Sequence, residues 1–102
     1  MIKLVEKSEG ISFTSVWDAL EDTPAEAQNM KVRSDLMIEI REFIKRHNLT
    51  QAQAAKYCHI TQPRMSDLMH GKIDKFSIDA LINIAASANL KISILVEEDA
   101  FA

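Results

Sequence analysis

The 102-residue sequence contains few of the residues that interrupt or cross-link a chain: two Gly, two Pro and one Cys. Because Gly and Pro are scarce and 47% of the residues are hydrophobic, we expect one folded domain with a single core. The lone Cys58 excludes an internal disulfide. The longest apolar runs span only a few residues, so no membrane-spanning segment is predicted.

The sequence also lacks the features of exported proteins and of enzymes. The N-terminal stretch MIKLVEKSEG reaches charged residues too early for a signal peptide, so a cytoplasmic location is expected. There is no Gly-rich phosphate loop, paired-carboxylate site or credible Cys–His pair, which disfavours an enzyme. Cys58, His59 and His70 lack the second Cys pair typical of zinc sites, so neither a metal nor another cofactor is expected.

The chain as a whole carries a net charge of −3, but its central region is positively charged. Residues 31–76 hold nine Lys and Arg against five acids, which leaves +4. Residues 1–30 carry −4 and residues 77–102 carry −3. A basic centre between acidic ends predicts a local anion-binding surface, although a solvated helix face would give the same pattern.

Helix start signals predict a long first helix in the central region. It begins at Thr23 and Pro24, where Glu26 completes a capping box. It runs to about His47, either unbroken or with a break near Met30. Apolar residues at helical spacing form its inward stripe: Leu36, Met37, Ile40, Phe43 and Ile44.

Three shorter helices are predicted after it, each preceded by a hydroxyl side chain that can cap it. They cover about residues 51–58, 62–70 and 78–88, with caps at Thr50, Thr61 and Ser77. Asn48, Gly71 and Asn89 are predicted to end helices, since Gly and Asn tolerate the left-handed conformation. The inward face of the last helix is predicted to contain Ile78, Leu81, Ile82 and Ala85.

The two short helices at 51–58 and 62–70 are separated by a three- to four-residue turn, which predicts a helix-turn-helix. Ala55 allows the helices to approach, while Ile60, Met65 and Leu68 fill the angle between them. The sequence therefore predicts a mainly α fold, a compact bundle of four to five helices with a central helix-turn-helix and a C-terminal β-strand.

In a helix-turn-helix the second helix reads bases with its N-terminal residues. Gln62 suits adenine, Arg64 suits guanine or a phosphate, and Pro63 suits a thymine methyl group. Asp67 either accepts from a cytosine amine or is simply exposed to solvent. Each basic residue could likewise be solvated without contacting DNA. The predicted DNA-binding set is Gln51, Thr61, Gln62, Pro63, Arg64, Ser66, Asp67, Lys72 and Lys75.

The segments that flank the helix-turn-helix region are assigned separately. Residues 1–22 are predicted to be an N-terminal extension with a short helix at SVWDAL, and residues 97–102 an acidic tail. The domain itself covers 23–96 and ends in LKISILV, whose alternation predicts a strand over 90–96. This strand pairs either with its twin in a homodimer, together with Ile84, or with residues 2–5 or 11–14 of its own chain.

Residues 50–71, TQAQAAKYCHITQPRMSDLMHG, resemble the helix-turn-helix of the Cro/cI (XRE) family of repressors, a lambda-repressor-like fold. One position departs from that pattern: His59 stands in the turn where the family usually has Gly. The stretches SVWDAL, KVRSDLM, LTQAQAA, ITQPRMSDL and GKIDKFSIDAL are further similar to XRE-type antitoxins of the HigA-type group.

This resemblance implies a dimer that binds double-stranded operator DNA and a RelE/ParE-like toxin as partner, usually an mRNA endonuclease. The expected function is an antitoxin that also represses its own operon. The alternatives are a stand-alone or prophage repressor without a toxin, and an interaction module whose helix-turn-helix no longer binds DNA. Residues 1–30 are predicted to help hold a basic toxin through their acidic side chains.

Overall fold

The computed structural model describes residues 23–98, which form four α-helices and a short 3₁₀ turn. The helices are α1 (Pro24–Arg46), α2 (Gln51–Cys58), α3 (Gln62–Met69) and α4 (Ile78–Ser87), and the 3₁₀ turn is Ile73–Lys75. The mainly helical prediction is thus confirmed, while the helix predicted at 15–20 lies outside the described residues. No helix in the described range is long and apolar enough to cross a membrane.

Each of these helices begins at the hydroxyl side chain that the sequence predicts as its cap. The capping box of α2 is complete: the Gln53 N–H donates to the Thr50 hydroxyl over 3.1 Å, and the Thr50 N–H donates to the Gln53 side chain over 2.9 Å. The first orphan donors of the helix are thereby satisfied. Thr23, Thr61 and Ser77 likewise accept from the main chain three residues later.

The first helix, α1, is continuous from Pro24 to Arg46, so there is no break near Met30. Neither Gly nor Pro follows Pro24 inside the helix, and nothing therefore interrupts its hydrogen-bond ladder. Met30 is itself buried. After the helix, Asn48 adopts the left-handed conformation with φ of 52°, as predicted.

The core lies where α1 packs on α4 and on the helix-turn-helix. The stripe of α1 is buried as predicted, and Met65 and Leu68 of α3 are fully buried opposite it. The inward face of α4 differs from the prediction. Ile84 is only 3% exposed, so its assignment to a dimer seam is wrong, because Ile84 lies one turn from Leu81 and Ala88 on the buried face. Ile78 and Ile82 are only partly buried at the edge of the core.

Residues 90–96 do not form the predicted strand in this chain. A strand needs a neighbour for its N–H and C=O groups, and no second strand exists within residues 23–98. Leu90 and Ile92 pack against the core, whereas Ile94, Leu95 and Val96 are 67%, 51% and 84% exposed. Pairing with residues 2–5 or 11–14 concerns positions outside the described range.

Candidate nucleic-acid interface

The turn between α2 and α3 has the geometry predicted for a helix-turn-helix. Ala54 and Ala55 are buried, and their small side chains allow the two helices to approach closely. His59 ends α2 in the left-handed conformation, with φ of 59° and ψ of 42°. The Ile60 N–H then donates to the Ala55 carbonyl over 3.0 Å, which closes the turn. His59 therefore adopts a left-handed conformation that Gly takes without a steric penalty.

Helix α3 presents its N-terminal residues to solvent. Gln62 and Pro63 are exposed in the first turn, directly after the exposed cap Thr61. Met65 and Leu68 face the core with no exposed surface. The apolar face of α3 thus fixes it on the domain and leaves the opposite face and the N-terminal end accessible.

Gln51 joins the start of α2 to the start of α3. Its side-chain Nε2 donates to the main-chain oxygen of Gln62 over 3.2 Å, and both side chains are exposed. Two residues that the sequence assigned to DNA binding therefore lie together. Since the first N–H groups of a helix favour anions, this shared end is suited to a phosphate backbone.

Arg64, which the sequence assigns to a guanine or a phosphate, contacts the segment that follows α3. Its guanidinium carbon is 4.3 Å from the centre of the Phe76 ring, and its Nη1 donates to the Lys75 carbonyl over 3.1 Å. The side chain is half-buried. Arg64 is therefore engaged with the segment that follows α3, on the side where the 3₁₀ turn lies.

Asp67 and Lys72 form an ion pair over 3.5 Å. The Lys72 side chain is 54% exposed, so this pair contributes at most about 1 kcal/mol to stability. Its more direct effect is to hold the Lys72 ammonium beside α3. Lys75, which follows on the 3₁₀ turn, is exposed.

Ser66 and His70 contact each other one turn apart on α3. His70 Nδ1 lies 2.7 Å from the main-chain oxygen of Ser66 and 3.4 Å from its hydroxyl. The shorter distance suits an imidazole N–H donating to the carbonyl. The Ser66 side chain is half-buried beside this contact, and it lies further from the exposed end of α3 than Gln62.

A family model described as a helix-turn-helix domain matches residues 19–97. The chain belongs to this helix-turn-helix domain family. Membership of this family and the exposed start of α3 together support the conclusion that the protein is a DNA-binding regulator. A comparison with curated proteins gave no match.

Two residues that hold this helix-turn-helix domain together at the candidate interface were not predicted from the sequence. Arg33 of α1 donates from Nη1 to the carbonyls of Ile73 and Phe76, over 3.2 and 3.4 Å. Phe76 is 2% exposed and joins the core from the loop before α4. These partners lie 40 and 43 positions from Arg33, so no local pattern indicates them.

The helix-turn-helix domain offers no evident metal site in its described residues. No group of three or more His, Cys, Asp or Glu side chains within 23–98 could hold a metal ion. Cys58 is buried, and desolvation raises the pKa of its thiol above the ordinary value. The thiol therefore stays neutral, whereas a metal ligand or nucleophile must be a thiolate.

Proposed function

We propose that the chain is a sequence-specific transcriptional regulator of the XRE type that binds operator DNA as a homodimer. We further propose that it is the antitoxin of a RelE/ParE-like toxin and represses its own operon. The observation that carries the DNA-binding proposal is the exposed start of α3, where Gln62 and Pro63 lie beside Gln51.

In this proposal α3 enters the major groove with its N-terminal end. Gln62 pairs with an adenine edge and Pro63 contacts a thymine methyl group. Thr61, Ser66 and Gln51 contact the sugar-phosphate backbone or neighbouring bases, and Asp67 accepts from a cytosine amine. Lys72 and Lys75 neutralise phosphates next to the groove. The +4 charge of residues 31–76 supports this arrangement, because the rest of the chain is acidic.

The DNA-binding proposal is tested with the full-length chain and a randomised pool of duplexes. We expect the chain to enrich one sequence with two related half-sites, since two copies on a two-fold axis read sites about one helical turn apart. The affinity for this enriched duplex should fall linearly with salt on logarithmic axes. A chain that enriches no sequence, or binds all duplexes equally, would contradict the proposal.

The antitoxin proposal is supported by the HigA-type motifs and by the charge of residues 1–30, which is −4. RNA-cleaving toxins are commonly basic, and opposite charges speed their encounter with an acidic segment. Because α1 begins at Pro24 and buries Ala27 and Met30, a deletion that tests this segment should stop at residue 22.

A chain that lacks residues 2–22 should still bind the enriched duplex but should fail to rescue cells that express a RelE/ParE-like toxin encoded beside its gene. Circular dichroism establishes that the shortened chain has kept its helices. A shortened chain that still rescues these cells would show that the acidic segment does not hold the toxin. If no toxin gene lies beside this one, the stand-alone repressor becomes the better proposal.

A further inference from the structure

We propose that Arg64 is a positioning residue that fixes the lysine turn, residues 72–76, against the recognition helix α3. In this role it reads no base and contacts no phosphate, and it acts on DNA through Lys75, whose main-chain carbonyl it binds. The inference rests on the proposed DNA-binding function and assigns Arg64 a different place within it.

The first argument is the position of the Arg64 guanidinium. It lies over the Phe76 ring at 4.3 Å and donates to the Lys75 carbonyl over 3.1 Å. A bidentate contact with a guanine requires both arms of the guanidinium fork to reach the base edge. Arg64 would have to abandon the ring and the carbonyl to make that contact. The exposed side chains of Gln62 and Pro63 have no such competing contact.

The second argument is that the lysine turn has little structure of its own. Its 3₁₀ segment comprises three residues, and no side chain caps its start at Lys72. Short 3₁₀ turns have poor hydrogen-bond geometry and depend on their surroundings. Phe76 anchors the end of the turn in the core and Ile73 packs against it, while two arginines hold its main chain. Arg33 binds the carbonyls of Ile73 and Phe76 from α1, and Arg64 binds the carbonyl of Lys75 from α3.

The third argument is charge. In the part of the chain that the structure describes, neither Arg33 nor Arg64 forms an ion pair with a carboxylate. Both guanidinium groups instead bind main-chain carbonyls, so two arginines and two lysines stand against only two acids, Asp67 and Asp74, around this turn. The lysine turn therefore combines a fixed main chain with a positive potential, as a phosphate contact requires.

Arg64→Met tests the inference, because methionine keeps a long apolar side chain over Phe76 and loses the charge and the donors. Hydrogen exchange should show loss of protection at the Lys75 and Phe76 amides, while the amides of Met65 and Leu68 stay protected. Unchanged exchange of the lysine turn would overturn the inference. This measurement needs no DNA. If it responds while the wild-type chain binds no duplex, the proposed function fails and the hold of Arg64 on the turn remains.

The binding measurement uses the duplex that the wild-type chain enriches, together with its single-base variants. Arg64→Met should weaken binding to all of them by the same factor and lower the salt slope by about one unit. In the Arg64→Met background, Lys75→Ala should lower the slope no further, because the Lys75 contact is already lost. Relaxed preference at one base pair would make Arg64 a base reader, and additive slopes would make it a phosphate contact. Either result overturns the inference.

Two further variants keep the test interpretable. Phe76→Leu removes the ring under Arg64 but keeps an apolar side chain in the core, and it should also weaken all duplexes alike. Arg46→Met removes the same charge from the exposed end of α1, away from the lysine turn, and should leave the protection of the Lys75 and Phe76 amides unchanged. Equal loss of protection in Arg46→Met would overturn the role assigned to Arg64.

Discussion

The side-chain amide of Gln51 donates to the main-chain carbonyl of Gln62 over 3.2 Å, so the first residues of α2 and α3 are joined at one exposed end. The acceptor is the main chain, and the Gln62 side chain is therefore not used in this contact. Gln51 thus links the two helices, while the Gln62 carboxamide remains accessible to a binding partner.

The first prediction concerns base reading by Gln62. Gln62→Ala removes the carboxamide but keeps the carbonyl that Gln51 binds, so the helices keep their orientation. Binding should weaken by roughly 1–3 kcal/mol at one base position, and the preference for adenine there should relax. Competition among single-base variants of the enriched duplex measures this. Gln28→Ala, in the exposed first turns of α1, is the matched control. An unchanged preference profile would mean that α3 does not read the groove through Gln62.

The second prediction concerns the phosphate contacts. Lys72→Ala and Lys75→Ala should each weaken all duplexes alike and lower the salt slope by about one unit. Lys72→Ala should have the larger effect on affinity, because the charge of Asp67 is then no longer offset by Lys72 and repels the nearby phosphates. Titrations at several salt concentrations give the slopes, with Lys45→Ala as an exposed control. Slopes equal to that of the wild type would place both lysines away from the phosphates.

Much of the fold could be predicted because the decisive interactions are local. A hydroxyl cap acts over three residues, and the caps Thr50 and Thr61 therefore fix the starts of α2 and α3 from sequence alone. The left-handed conformation of Asn48 could be predicted because Asn tolerates it at the end of a helix. The exposed start of α3 followed once the helix-turn-helix was placed.

The features that the sequence did not reveal depend on distant partners. Whether Ile84 is buried depends on how α4 is rotated about its own axis against α1. The spacing of apolar residues alone does not fix this rotation to within one residue. The contact between Arg64 and Phe76 could not be predicted, because the local pattern of residues contains no sign of it. The strand at 90–96 was predicted from alternation, although alternation cannot supply a neighbouring strand.

The third prediction concerns two positions with a left-handed backbone: His59, which has a Cβ, and Gly71, which has none. His59→Gly should stabilise the domain by about 0.5–1 kcal/mol, because Gly adopts φ of 59° without a Cβ clash. Gly71→Ala should destabilise it by about 1 kcal/mol. An added Cβ at Gly71 would meet Arg41 Nη1 at an ordinary 3.5 Å, so this cost comes from φ of 71° and not from crowding.

Urea unfolding at one fixed protein concentration measures both variants, because any dimerisation makes the midpoint depend on concentration. If both variants shift the urea midpoint in the same direction, the left-handed backbone does not control stability at these two positions.

The fourth prediction concerns Cys58. Cys58→Ser should destabilise the domain by about 1–3 kcal/mol, because a buried hydroxyl needs a partner, and Cys58→Ala should cost less. Burial raises the pKa of the thiol above its ordinary value of 9.0. The folded state therefore holds this proton more tightly than the unfolded state, and the resulting stability is lost as the pH rises above that value. Urea midpoints across alkaline pH should show this decline in the wild type and a smaller decline in Cys58→Ala. Parallel declines in the two proteins would contradict the role of the thiol.

The fifth prediction concerns the proposed homodimer. Ile94, Leu95 and Val96 form an exposed apolar run, and pairing of residues 90–96 with a second copy would cover it and satisfy the main chain. Ile94→Pro removes a main-chain donor and should produce a folded monomer by light scattering. Ile94→Ser keeps the donor and should weaken the dimer less. A folded dimeric Ile94→Pro protein would place the seam elsewhere.

The packing of α1 against α4 has a consequence for synthesis of the protein. These two helices form the most extensive pair in the described residues, and the whole helix-turn-helix lies between them in the chain. As the polypeptide leaves the ribosome, α2 and α3 meet early because they are neighbours, but they cover only part of the α1 stripe until α4 emerges. A nonsense mutation just before Ile78 would therefore yield a product that retains every side chain proposed to contact DNA but cannot complete its core. We expect proteases to remove such a product before it can compete for operator sites.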